Sequence, residues 1–167
     1  MTQRAPTLTG GCQCGAVRYA LYATPRAGIC HCRMCQKAVG GPFFAWAMVG
    51  VADFAWTRGA PAWFRSSSAA RRGFCASCGT PLAFQYDGKA DHVDVSIGSL
   101  DTPGAVRPAV ALGIESRLPW CDASLFEALP AHATGSLNPP TDLSAIENFQ
   151  HPDAEPPGGE GQTRRTT

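Results

Sequence analysis

Apolar and polar positions alternate along much of this chain, in short runs separated by glycine, proline and aspartate. The run Gly15-Ala16-Val17-Arg18-Tyr19-Ala20-Leu21-Tyr22 follows a pair of cysteines and predicts a strand leaving a tight turn. Runs rich in aromatic and β-branched residues recur at 43–49, 61–65 and 82–86, the last ending at the turn Asp87-Gly88. Residues 92–97 alternate cleanly, so Val93, Val95 and Ile97 share one face and the polar residues take the other. Residues 109–114 are almost continuously apolar and predict a buried strand. Helical patterns are short: a turn at 34–38, and a segment at 142–149 that Asp142 or Ser144 would cap. The expected class is mostly β.

Composition divides the chain. Residues 1–9 read as an N-terminal extension and 10–135 as one domain. From 136 to 167 the sequence turns to Pro139-Pro140, Pro156-Pro157-Gly158-Gly159 and scattered charge, a composition that does not repay the entropy of packing and predicts a flexible tail. The remaining ~135 residues can bury roughly two-thirds of their unfolded surface, enough for a core without staples. The net charge of +1 is spread along the whole length, which argues against nucleic acid or an anionic membrane as partner. Arg71-Arg72, beside the third cysteine group, is a dense basic pair, and it reads as a solvated loop rather than a phosphate track. Nothing resembles a signal sequence or an uninterrupted apolar span, so the expected compartment is the cytoplasm, where clustered cysteines stay reduced and metal outranks disulfides.

The cysteines carry the chemistry. Seven of the eight fall into three groups: Cys12-Gln13-Cys14, Cys30-His31-Cys32-Arg33-Met34-Cys35 and Cys75-Ala76-Ser77-Cys78. Four thiolates close a tetrahedral zinc site, whereas three leave an open position, so seven suggest two zinc ions in different roles. Cys75-x-x-Cys78-Gly79 has the form of a zinc knuckle, and Cys12-x-Cys14-Gly15 is its natural partner. Together they would make a structural site that contributes on the order of 10 kcal/mol to folding. The middle group supplies Cys30, Cys32 and Cys35. Candidates for its fourth ligand are His31, His92, His132 and Cys121, any of which would turn it into a second structural site. His31, lying between two ligands, is expected to point away from their metal, as a buttress, a substrate-facing group or an inert surface histidine. Cys121 reads first as a small buried apolar residue. Three thiolates leave zinc with a net charge near −1, a poor activator of water but suited to holding an incoming thiol in its deprotonated form. Arg33 and Lys37 either offset that charge and hold the carboxylates of an anionic thiol, or are plain solvent-exposed charge.

These groups, with Gly41-Pro42-Phe43-Phe44-Ala45-Trp46 and Arg72-Gly73-Phe74-Cys75-Ala76-Ser77-Cys78-Gly79-Thr80-Pro81-Leu82, resemble the glutathione-dependent formaldehyde-activating enzymes, grouped with the centromere protein V domain. The resemblance runs from about Gly10 to Pro130. It implies a β-tent fold of small antiparallel sheets, a structural zinc on Cys12, Cys14, Cys75 and Cys78, and a catalytic zinc on Cys30, Cys32 and Cys35. The implied activity is that of a carbon–sulfur lyase, joining glutathione and formaldehyde to give S-(hydroxymethyl)glutathione or splitting it in reverse. The alternative is a zinc-stabilised thiol carrier or interaction module without turnover. The chain departs from the family pattern at Pro108, where Ala109-Val110-Ala111-Leu112 follows in place of a histidine.

Overall fold

A computed structural model describes residues 4–88 and 91–122, together with Ser124, Leu129, Gln150, His151 and Asp153. The described residues form a mostly β architecture of two sheets. The first sheet has the order β1-β2-β5, with β1 at Leu8–Gly11, β2 at Arg18–Leu21 and β5 at Phe54–Arg58. The second has the order β10-β3-β4-β9-β8-β7-β6. Its strands are β3 at Arg26–Cys30, β4 at Phe44–Gly50, β6 at Ala62–Ser67, β7 at Ala70–Phe74, β8 at Pro81–Tyr86, β9 at His92–Ser96 and β10 at Ala111–Leu112. Every strand pair is antiparallel except β10 with β3.

The core follows from the alternation. Val93, Val95 and Ile97 are buried as their spacing predicts, and Ala47 and Val49 on β4 lie on the same face, paired with Val95 and Val93. The first sheet contributes Tyr19 and Leu21, both fully buried, with the rings of Phe54 and Trp56 packed against Tyr19. The Tyr19 hydroxyl reaches the Ser99 hydroxyl at 2.8 Å, so the ring is buried without orphaning its polar end.

A buried ion pair ties the first sheet to the segment after β9. Arg18 is 3% exposed and its Nη1 donates to Asp101 Oδ1 at 2.8 Å, while the Thr9 hydroxyl donates to Oδ2. Arg18→Ala would leave the carboxylate uncompensated, and the expected loss is about 3–5 kcal/mol by denaturant unfolding at pH 7. A loss below about 1 kcal/mol would mean that the pair carries no such weight.

Two expectations about secondary structure change. The run 109–114 forms only the two-residue β10, and Val110, Leu112 and Ile114 are exposed. Among the described residues it is the outermost strand of its sheet and pairs with β3 alone, so a continuous apolar run here does not mean burial on both faces. Arg71 and Arg72 lie on β7, between β6 and β8, not in a loop. The turn expected at 34–38 is the helix α1, Arg33–Val39, closed by Gly40. The helix expected at 142–149, and His132, lie outside the described residues.

Candidate metal centres

The end of β1 and the end of β7 bring the two outer cysteine groups together. Cys12, Cys14, Cys75 and Cys78 all have their sulfurs within 4.8 Å of one another. Cys14 Sγ lies 3.6 Å from that of Cys12 and 3.8 Å from that of Cys75. A tetrahedron with metal–sulfur bonds of about 2.3 Å has an edge of about 3.8 Å, so the donor set fits zinc in both chemistry and spacing. The turns are built to point donors at sulfur. Val17 N–H reaches Cys12 Sγ at 3.2 Å, the Thr80 hydroxyl lies 3.2 Å from Cys78 Sγ, and Gln13 N–H donates to that same hydroxyl, linking the two knuckles. Gly79 closes the second knuckle at φ 77°, a conformation that a side chain would strain. Burial pushes the Cys12 thiol up to about 12, whereas at Cys78 the Thr80 hydroxyl and N–H overcome the effect of burial and bring it down to about 6. His151 packs on this knuckle, its N–H donating to Gln13 O at 2.7 Å.

The middle group forms a second, separate cluster. Cys30 ends β3, Cys32 precedes α1 and Cys35 lies in its first turn, with all three sulfurs within 4.8 Å of one another. Buried Gln36 fixes this turn by donating from Nε2 to His31 O at 2.7 Å and Ser116 O at 2.9 Å. Burial pushes Cys30 up to about 12; at Cys32 burial acts in the same direction, but the N–H of Cys35 and neighbouring thiols prevail and lower it.

Of the fourth-ligand candidates, none of the described ones joins the cluster. His31 is 3% exposed, sits edge-on to Phe43 and leaves Nδ1 without a hydrogen-bond partner among the described residues. It is a buried residue, not a surface one. His92 lies on β9 with Nδ1 against Asp91, and Cys121 is buried elsewhere.

Gly113, just past β10, has φ 62°, and a Cβ there would lie 2.7 Å from Cys32 N. The position needs both the left-handed backbone and the missing side chain. Gly113→Ala is expected to push the Cys32 turn away and to cost about 1–3 kcal/mol. The check is denaturant unfolding alongside metal content; an unchanged midpoint and full metal content would contradict it. The segment 109–112 also borders this cluster, since Ile29 N–H and His31 N–H donate to Val110 O and Leu112 O.

The residue that sequence reasoning missed is Arg72. Its Nη2 donates to Cys35 Sγ at 3.4 Å, and its guanidinium stacks 4.8 Å from the Phe84 ring and 5.9 Å from that of Phe44. Nε is buried without a hydrogen-bond partner among the described residues. Two adjacent arginines suggested solvent, but strand alternation separates them: Arg71 is exposed and covers Trp63, while Arg72 turns toward the cluster. The available signal was that Arg72 and Phe74 alternate with Gly73 into the Cys75 knuckle.

Asp94 shares this row of the sheet, paired with Phe84, which is paired with Arg72. Burial pushes its carboxyl up to about 6, against the pull of His92 and Arg72, and Oδ1 has no hydrogen-bond partner among the described residues. A carboxyl with a raised folded-state pKa binds its proton more tightly folded than unfolded, so its ionisation removes stability as pH rises from about 4 to about 6. Asp94→Asn is expected to gain about 2 kcal/mol at pH 7, after discounting for partial exposure, and to gain nothing at pH 4. Unfolding midpoints at the two pH values test this, and an equal effect at both would contradict it.

A cleft of about 680 Å³ opens beside the cluster, lined in part by Arg33, Lys37, Arg72, Phe44, Phe64 and Met34. Arg33 Nη1 also lies against Gln36 Oε1.

Known proteins resemble parts of this chain. An uncharacterized lyase of Schizosaccharomyces pombe is 33% identical over 82 residues, 48% of this chain, and the match spans 59% of that relative's length. A crystal structure of a Rhodobacter sphaeroides protein matches 62% of this chain and 98% of its own, with 23% identity and a TM-score of 0.47. No described helix is long and apolar enough to cross a membrane. The model of the family described as glutathione-dependent formaldehyde-activating enzyme matches residues 7–116, a span that holds all seven clustered cysteines, and the chain belongs to that family.

Proposed function

We propose that this protein is a zinc-dependent carbon–sulfur lyase that adds glutathione, or a similar small anionic thiol, to formaldehyde or another aldehyde. The observation that carries the reading is the pairing of a closed four-thiol cluster with a three-thiol cluster that no fourth described residue completes. In this reading Cys12, Cys14, Cys75 and Cys78 hold a structural zinc, and Cys30, Cys32 and Cys35 hold a catalytic one. A zinc held by three thiolates would supply an open position on which an incoming thiol loses its proton and is presented as a nucleophile.

The chain's own residues then supply charge and position. Three thiolates and a fourth sulfur accumulate negative charge, and Arg72, donating to Cys35, withdraws part of it. Arg33 and Lys37, exposed at the cleft, attract the carboxylates of the thiol. In the forward direction the thiol gives up its proton, a carbon–sulfur bond forms at the carbonyl carbon, and the carbonyl oxygen takes a proton from solvent. The reverse step breaks that bond and returns thiol and aldehyde.

Thiols add to formaldehyde without help, so a rate must be measured. Exchange NMR of the glutathione and formaldehyde equilibrium is expected to quicken at least tenfold with stoichiometric zinc-loaded protein. No increase would overturn the enzymatic reading and favour a thiol carrier without turnover.

A further inference from the structure

The cleft is larger and more apolar than formaldehyde requires. Resting on the thiol-adding reading above, we propose that its substrate is two-faced: an anionic thiol joined to an aldehyde that carries an aryl or medium-length alkyl group. Three cations, Arg33, Lys37 and Arg72, line the cleft, and among the described residues no carboxylate does. That side fits an anionic thiol.

The remaining lining calls for an apolar group. Phe64 is 63% exposed and Met34 61% exposed, and both face this cleft, with Phe44 and Phe74 on the same lining. Large apolar side chains scattered singly on a surface need no explanation, but several gathered around one concave site of about 680 Å³ mark ligand-binding surface. Formaldehyde is a single carbon and covers none of it.

Register links the two sides. Phe64 on β6 pairs with Arg72 on β7, so the apolar wall begins beside the cation that touches Cys35. A thiol whose carboxylates met Arg33 and Lys37 would bring its new substituent to the lining shared by Phe64 and Met34. Methionine adapts to substituents of different shape, which suits a class of aldehydes better than one member. The adduct forms as before: the thiol loses a proton, sulfur bonds to the carbonyl carbon, and the oxygen is protonated, giving a hemithioacetal.

The test uses thioether analogues of the adduct, which have no thiol to ionise and therefore read the cleft apart from thiol activation. Zinc-loaded, full-length protein is titrated by calorimetry with S-methylglutathione and S-benzylglutathione. The benzyl compound is expected to bind about tenfold more tightly or better, and Phe64→Ser to shrink that preference to below about threefold. Equal affinities, a preference undiminished in Phe64→Ser, or no binding of either compound would overturn the proposal. Glutathione exchange with formaldehyde, measured on the same samples, reports on the thiol-adding reading separately: its failure beside a retained benzyl preference would remove the reaction and leave the amphipathic cleft.

Discussion

Cys75→Ala is expected to yield a chain that does not reach its native fold. Cys75 is 1% exposed and sits in the main hydrophobic core as well as in the four-thiol cluster. The cluster closes the chain from Cys12 to Cys78 and links the end of β1 to the turn between β7 and β8. Structural zinc contributes on the order of 10 kcal/mol to folding, against a total domain stability of about 5–15 kcal/mol. Losing one of four donors forfeits much of that binding energy and opens a cavity in the core. Far-UV circular dichroism and amide NMR dispersion check the result, with wild-type protein stripped by a strong chelator as the second arm. Both samples are expected to lose native dispersion, and a Cys75→Ala protein with wild-type dispersion would contradict the structural role.

Cys32→Ala is expected to do the opposite: keep the fold and lose thiol uptake by more than a hundredfold. Its cluster spans six consecutive residues, from the end of β3 into α1, so it closes no long loop. Cys32 is only partly buried, and the turn around it is held independently by Gln36, through His31 O and Ser116 O. The thermal midpoint should fall by no more than a few degrees. Glutathione binding, followed by calorimetry, should disappear. Unfolding in Cys32→Ala comparable to that in Cys75→Ala would show that the two clusters do not divide the labour.

How much of this was legible in the sequence depended on range. Residues 92–97 revealed their buried face because one side of β9 packs on the core and the other does not, which is the condition under which alternation carries information. The knuckle spacings were legible because ligands two or three residues apart sit on one turn whatever the rest of the fold does. The strands β1, β3, β5 and β7 went unread. In β3 the sequence Arg26-Ala27-Gly28 has little apolar signal, and Gly28 is required because the Trp46 ring and Val110 occupy the space a Cβ would take. In β7 two arginines concealed a strand whose alternate side chain, Arg72, is held between rings.

Residues 109–114 misled in the other direction. Their apolar run suggested burial, yet among the described residues β10 lies at the outer edge of its sheet and pairs only with β3. The pairing of β2 with β5 and of β4 with β9 joins residues far apart in the chain, which no local pattern encodes. The site shows the same division. Its thiols were visible as local groups, whereas the Arg72 contact to Cys35 depends on long-range strand pairing and the neighbouring helix.

Native mass spectrometry distinguishes a protein with one closed metal site and one open to a thiol from a protein with two closed sites or one. Zinc is counted on the intact protein with and without glutathione, for wild type and for Cys32→Ala. Two zinc ions are expected on the wild type, with a glutathione adduct in addition, and the variant is expected to lose that adduct while one zinc remains. A single zinc on the wild type, or two with no glutathione bound, would contradict it.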